Sequence, residues 1–235
     1  MKILAIDTSA LVASCAILDE DKIIAEYSLN FQMTHSQTIM PMISEIFIRT
    51  GLDIKDMDYI AVSEGPGSFT GLRIGAATAK GLALGHNIPL VPVPTLKAMA
   101  YNVFSTKEYI CPIMDARREQ VYAGIFCRQE ECLVEVMQEQ AIGIEELIEK
   151  ALQLGGNVIF LGDGVLVHKD KLYEYLEFST ALSNCNYQRA SSVGVLAINL
   201  IKEGKYIDGK NFKPVYLRKP QAERELEERA EIKDK

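Results

Sequence analysis

A glycine-rich segment that follows a short apolar run constrains the fold more than any other part of the chain. It reads Gly-Pro-Gly-Ser-Phe-Thr-Gly-Leu-Arg-Ile-Gly and covers residues 65–75. The apolar run 59–62 predicts a buried strand before it, and residues 76–84 predict a helix after it. Glycine and proline adopt backbone angles that other residues resist, and Ser68 or Thr70 can cap the helix. The segment is therefore predicted to form a strand-to-helix turn.

Such a turn can bind phosphate through free amide groups at a helix N-terminus, or it can be a tight connection without a ligand. A P-loop needs lysine and then serine or threonine after its last glycine, but Leu72 and Arg73 follow Gly71. The dinucleotide-binding pattern needs its third glycine where Thr70 stands. Taken alone, the segment favours a structural turn over a ligand site.

The regions around this turn predict two similar units in series. Strand-like runs at 3–6, 13–18 and 23–29 form an antiparallel meander, and a helix within 34–49 then leads to the strand and the glycine turn. The second unit begins near Lys107. Its predicted elements are strands at 109–114, 121–127 and 133–137, a helix at 144–154, a strand at 157–161, and helices at 171–178 and 191–203. The pattern indicates an internal duplication and two α/β lobes.

A meander followed by a helix and a further strand is the plan of the actin, hexokinase and Hsp70 superfamily, whose ribonuclease-H-like unit is duplicated. Within it, residues 3–9 with His35-Ser36 and the segment 65–73 resemble the TsaB (YeaZ) family of bacterial proteins, and 115–118 and 214–218 support the likeness. The resemblance implies mixed sheets flanked by helices. We expect a first lobe at 1–104, a second lobe at 105–215, and a C-terminal segment at 216–235. That segment is either a charged helix returning to the first lobe or a solvated terminus.

Composition excludes several classes of protein. No apolar run approaches the roughly 20 residues that span a bilayer, and the first residues predict a strand and no secretion signal. Five cysteines without a Cys-x-x-Cys pair are typical of reduced thiols, so we expect a cytoplasmic protein. The net charge of −7 argues against a protein that binds tRNA alone, because phosphate contacts dominate that affinity. Contacts with tRNA are expected only within a complex.

A small-molecule kinase or ATPase of the same superfamily is the first alternative function. Such enzymes hold phosphates between two hairpins whose glycines let the backbone approach the nucleotide. The matching turns here, 7–14 and 115–120, contain no glycine, so nucleotide hydrolysis is not expected and no cofactor is predicted. A vestigial nucleotide site would comprise Asp7, Thr8, Ser9, Gly162 and Asp163. Asp7 could orient a magnesium-bound water, but it is expected to bond local amide groups.

A metal-dependent or serine peptidase is a weaker alternative. The resemblance points to a catalytic relative, TsaD, with a His-x-x-x-His metal pair, and Thr95 and Met99 stand at those positions here. Neither residue is a good ligand for a divalent ion, so no metal site is predicted. His35 and Ser36 are neighbours on a predicted helix and point about 100° apart, which does not suit a base and its nucleophile. A helix start capped by Thr34 or Ser36 is favoured, and no catalytic residue is predicted.

The two first-lobe helices are more apolar than a single buried face requires. Small residues recur every four positions at Gly71, Gly75, Ala79 and Ala83 and would let another helix approach closely. These helices either pack on each other and on the sheet, or they form an interface with another protein, which we favour. The predicted interface comprises Ile39, Ile43, Ile46, Phe47, Gly71, Leu72, Gly75, Ala76, Ala79, Leu82 and Ala83.

The resemblance implies a heterodimer with a TsaD-like catalytic subunit, a homodimer in its absence, and a TsaE-like ATPase on the assembled pair. Predicted contacts with a partner or with RNA, or alternatively surface salt bridges, are made by Arg73, Asp115, Arg117, Arg118 and Arg218. The expected function is that of a non-catalytic scaffold or activating subunit. It would support the N6-threonylcarbamoylation of adenosine 37 in tRNA.

Overall fold

The computed structural model describes residues 1–31, 33–104, 106–175 and 178–218 and contains two five-stranded sheets. The first sheet has the order β3-β2-β1-β4-β5. β1 is antiparallel to β2, and β2 to β3, whereas β4 is parallel to both β1 and β5. The strands are β1 Lys2–Asp7, β2 Ala13–Asp19, β3 Lys22–Leu29, β4 Tyr59–Gly65 and β5 Leu90–Pro94.

The second sheet repeats this plan. Its order is β8-β7-β6-β9-β10, with antiparallel pairs in the meander and parallel pairs beyond it. The strands are β6 Tyr109–Asp115, β7 Gln120–Gln129, β8 Cys132–Gly143, β9 Val158–Leu161 and β10 Ser179–Thr180. The predicted fold, a duplicated ribonuclease-H-like unit with mixed sheets, is therefore confirmed.

Seven α-helices flank the sheets in the described part of the chain. They are α1 His35–Thr50, α2 Phe69–His86, α3 Thr95–Ala100, α4 Ile144–Gln153, α5 Asp163–Val167, α6 Lys169–Tyr175 and α7 Ala190–Lys202. Because side chains alternate along β1, Leu4 and Ile6 enter the core beneath α1 and α2, whereas Ile3 and Ala5 face α7. Helix α7 was expected to complete the second unit, but it packs on the first sheet. The lobe bounds 1–104 and 105–215 stay a prediction.

The glycine turn is held against the end of β1 by short contacts between backbones. The Ser68 amide donates to the Ser9 carbonyl at 2.6 Å, and the Thr8 hydroxyl donates to the Gly71 carbonyl at 2.8 Å. Ser68 also caps α2, as predicted, by accepting from the Gly71 amide. A Cβ atom at Gly71 would collide with the Thr8 carbonyl oxygen, so glycine is required there by close approach.

The segment that ends the described chain runs from the first sheet to the second. Phe212 is buried in the core beneath α1 and α2, and the Val215 amide donates to the Glu64 carbonyl at 2.7 Å. Arg218 then donates to the carbonyl of Ala116, at the end of β6. The expectation of a charged tail helix concerns residues 219–235, which lie outside the described residues. A search of the described helices found none that is long and apolar enough to cross a membrane.

We predict opposite effects of adding a methyl group at two glycines of α2. Gly71→Ala should lower the free energy of unfolding by roughly 1–3 kcal/mol, because the backbone of β1 leaves no space. Gly81→Ala is the matched control, since an added Cβ meets nothing within 4 Å there. It should raise stability by roughly 0.5–1 kcal/mol through helix propensity. Urea unfolding measures both, and equal midpoints for the two variants would contradict this account.

Candidate functional site

An open cleft of about 580 Å³ lies where the glycine turn, the β6–β7 hairpin and residues 216–218 meet. Its wall mixes hydroxyl, aromatic, carboxylate and guanidinium groups, which is the chemistry of a polar binding site. The polar and aromatic lining residues are Ser9, Ser68, Phe69, Thr70, Asp115, Arg117, Tyr122, Asp163, Tyr216 and Arg218.

The end of β1 turns its polar groups inward. Asp7 is 1% exposed, and its two carboxylate oxygens accept from the amide and hydroxyl of Ser9, at 2.8 and 2.7 Å, and from the Ser63 hydroxyl at 2.6 Å. Burial raises the pKa of Asp7, and these hydrogen bonds oppose the rise. Thr8 is equally buried and bonds the Gly71 carbonyl. Of the vestigial nucleotide residues on this strand, only Ser9 lines the cleft.

The hairpin on the opposite side of the cleft has an unusual backbone. Arg117, Arg118 and Glu119 have φ values of 62°, 55° and 59°, so three successive non-glycine residues adopt the left-handed conformation. The turn is held by the Asp115 carboxylate, which accepts from the Arg117 amide at 2.9 Å, and by the Ile144 amide, which donates to the Glu119 carbonyl at 3.0 Å. The side chains of 117–119 are exposed. A phosphate-cradling glycine turn is absent at this described position.

The Asp115 carboxylate lies near both Asp163 and His168, and the two aspartates line the cleft. Burial, together with the nearby Asp115 charge, raises the pKa of Asp163 to about 6, although backbone hydrogen bonds oppose the rise. His168 is buried, with Nε2 3.7 Å from an Asp115 oxygen, beyond hydrogen-bond distance. The amide of Gly162 donates to the Asn186 side chain at 3.1 Å. The described residues contain no cluster of three His, Cys, Asp or Glu side chains arranged for a metal ion.

The positions that match the histidine pair of the catalytic relative are sealed from solvent. Thr95 is 0% exposed and Met99 is 1% exposed. The Gln188 amide nitrogen lies 3.2 Å from the Met99 sulfur and occupies the space beside it. A thioether and a lone hydroxyl do not form a site for a divalent ion.

His35 and Ser36 do not form a catalytic pair. The His35 Nε2 atom lies 2.6 Å from the Ala10 carbonyl, and the Ser36 hydroxyl donates to the Thr34 hydroxyl at 3.3 Å. Helix α1 begins at His35 with Thr34 as its N-cap residue, as the sequence suggested, but Thr34 makes no side-chain cap hydrogen bond. The two hydroxyls bond each other and leave the first amide groups of the helix uncapped by side chains.

The predicted interface on α1 and α2 stays a prediction, but the structure gives most of its residues another contact. Most of its residues are buried in the chain's own core, because their helix faces pack on the first sheet; Phe47 and Leu82 are half-buried. The buried ones are Ile39, Ile43, Ile46, Gly71, Leu72, Gly75, Ala76, Ala79 and Ala83. The outward face of the two helices instead presents Met40, Ile48, Ala77, Gly81, Leu84 and Gly85.

An aromatic stack beside the cleft was missed by sequence reasoning. The Arg73 guanidinium lies 3.8 Å from the centre of the Phe69 ring, and that ring lies 4.7 Å from the Tyr216 ring, centre to centre. Arg73 Nε also donates to the Tyr216 hydroxyl at 3.3 Å. The aromatic residue inside the glycine segment was the only available signal, because Tyr216 is remote in sequence.

The fold and the cleft define a two-lobed protein of the ribonuclease-H-like class whose described phosphate hairpins lack glycine. A family model described as "TsaD: tRNA N6-adenosine threonylcarbamoyltransferase" matches residues 23–226. The Bacillus subtilis protein "tRNA threonylcarbamoyladenosine biosynthesis protein TsaB" is 34% identical over 95% of this chain and 96% of the relative. The Escherichia coli protein of the same description is 31% identical over 93% and 95%. The chain belongs to the TsaB (YeaZ) family.

A solved structure supports the fold. "YeaZ from Pseudomonas aeruginosa" superposes with a TM-score of 0.76 and covers 92% of this chain and 99% of its own. Its sequence is 23% identical, so this likeness concerns the fold alone.

The raised pKa of Asp163 predicts a pH dependence of stability. Because the pKa of Asp163 is about 6 in the folded protein and lower in the unfolded chain, the folded state binds more protons. The contribution of this carboxyl to the free energy of unfolding therefore falls as the pH rises from about 4 through 6. Across this pH window, the free energy of unfolding of the parent should fall by roughly 1–2 kcal/mol relative to that of Asp163→Asn, after allowance for solvent screening. Urea unfolding at several pH values measures the difference. A constant difference between parent and variant would contradict the assignment.

Proposed function

We propose that this protein acts in the biosynthesis of N6-threonylcarbamoyladenosine in tRNA as a non-catalytic partner of a TsaD-like subunit. The modified base is adenosine 37, and the partner performs the transfer. Family membership supports the pathway. The absence of a usable metal pair at Thr95 and Met99 supports the division of roles, as does the inward-facing Asp7.

The exposed apolar face of α1 and α2 carries the proposed association. Ile48 is 70% exposed, Leu84 57% and Met40 44%, so this face leaves large apolar side chains in water. On α2, Ala77, Gly81 and Gly85 recur every four residues, and added Cβ atoms at both glycines would meet nothing within 4 Å. A partner helix can therefore approach α2 closely. This outward face replaces the buried small-residue face as the proposed interface.

The remaining partners follow from this association. The same face supports a homodimer when the TsaD-like subunit is absent, because exposed apolar side chains gain by any burial. A TsaE-like ATPase engages the assembled pair, and tRNA binds only within the complex. The charge of −7 agrees with the last point.

We predict that the isolated protein does not turn over ATP. The Asp7 carboxylate is engaged by Ser9 and Ser63, and neither hairpin offers a glycine turn for phosphate. Phosphate release with ATP and magnesium should stay at the buffer level, with the TsaD-like subunit and tRNA needed for any modification. Turnover in a clean preparation that Asp7→Asn abolishes would refute the non-catalytic role.

We predict that Ile48→Glu and Gly81→Glu each weaken association with the TsaD-like subunit at least tenfold, because each buries an unpaired carboxylate at the interface. Both positions face solvent in the chain alone, so the melting temperatures should stay close to that of the parent. Leu152→Glu, on an exposed site of α4, is the matched control and should pair normally. Calorimetric titration measures the affinity. Parental affinity in both variants would place the interface elsewhere.

A further inference from the structure

Four arginines line the cleft or lie next to residues that line it, and we call them the arginine rim: Arg73, Arg117, Arg118 and Arg218. Arg117 and Arg218 line the cleft directly, and Arg118 follows Arg117 in the left-handed turn, which leaves both Arg117 and Arg118 exposed. Arg73 stands in the first turn of α2, beside Phe69. A concentration of positive charge at one place is notable in a chain of net charge −7.

Arg73 differs from several cations elsewhere on the surface that are paired with glutamates. Arg49 pairs with Glu45, Lys150 with Glu146, and Lys171 with two glutamates. Arg73 instead donates to a phenol and lies over an aromatic ring, so its positive charge is not neutralised by either contact.

Aromatic rings lie among these arginines. Phe69, Tyr122 and Tyr216 all line the cleft, and Tyr216 is 38% exposed. Its ring contacts the Phe69 ring at an interplanar angle of 40°, and Arg73 lies over Phe69. A partly exposed ring beside guanidinium groups can stack a base while the arginines bind the flanking phosphates.

We propose that the arginine rim and Tyr216 bind an unpaired stretch of RNA. Phosphates contact Arg117 and Arg118, and a base stacks on Tyr216. The inference rests on the proposed function, which supplies an anticodon loop as the RNA. Asp115 and Asp163 also line the cleft and disfavour phosphate next to them, so the phosphates bind at the arginines.

RNA fits this surface better than an acidic protein does. An acidic protein surface needs only the guanidinium groups, whereas a single-stranded nucleic acid also uses the aromatic faces. The acidic remainder of the chain repels RNA, so the rim contributes measurable affinity when a second subunit supplies further contacts.

The test titrates a fluorescent anticodon stem-loop RNA with the complex of this chain and its TsaD-like subunit, at several salt concentrations. The double variant Arg117→Gln, Arg118→Gln should weaken binding about tenfold. It should also make the negative slope of log K against log salt shallower by about 1.4, at roughly 0.7 per phosphate contact. Tyr216→Leu should weaken binding at least fivefold with an unchanged slope, because it removes stacking only. Lys150→Gln, an exposed cation on α4, is the control and should leave both quantities unchanged.

Sizing chromatography of each complex separates the possible outcomes. If the rim variants lose the TsaD-like subunit, the rim is a protein contact and the inference is wrong. If they pair normally and their RNA affinity and salt slope match those of the parent, the inference fails while the proposed function stands. If the parental proteins do not associate, the proposed function fails. The inference rests on that function and then fails with it.

Discussion

The contact between the end of β1 and the glycine turn determines most of what this chain can and cannot do. The Ser68 amide reaches the Ser9 carbonyl at 2.6 Å, and Thr8 bonds the Gly71 carbonyl, so the two backbones meet with no space for a side chain. The same contact places Asp7 beneath the turn, where serine donors satisfy its carboxylate. Here the turn is used to join a strand to a helix.

That joint also fixes the orientation of α2. With Gly71 and Gly75 pressed against Thr8, the helix turns one small-residue face towards the sheet and the other, with Ala77, Gly81 and Gly85, towards solvent. Both faces carry small residues at intervals of four. The sequence spacing fits either face, and the contact with β1 selects between them. The contact with β1 therefore explains both the close packing of α2 inside the lobe and the small residues on its solvent-facing side.

Local patterns predicted the elements well, and contacts between distant segments explain what they missed. The duplicated plan and α4, expected at 144–154 and found at Ile144–Gln153, follow from periodicity and turn residues. Periodicity does not say which sheet a helix covers, so α7 was expected on the second sheet, whereas it packs on Ile3 and Ala5. The inward orientation of α2 and the stack of Arg73, Phe69 and Tyr216 also depend on contacts far apart in sequence. No local rule contains that information.

The cleft has a polar lining, and its two hairpin turns, 7–14 and 115–120, contain no glycine. The run of Arg117, Arg118 and Glu119 in the left-handed conformation costs on the order of 1 kcal/mol or more per residue, and hydrogen bonds from Asp115 and Ile144 maintain it. Arg218 adds a further tie to the adjacent Ala116 carbonyl. Glycine at these three positions would carry no such cost, because it has no Cβ atom. Under the proposed RNA contact, this turn serves to hold Arg117 and Arg118 exposed beside the cleft.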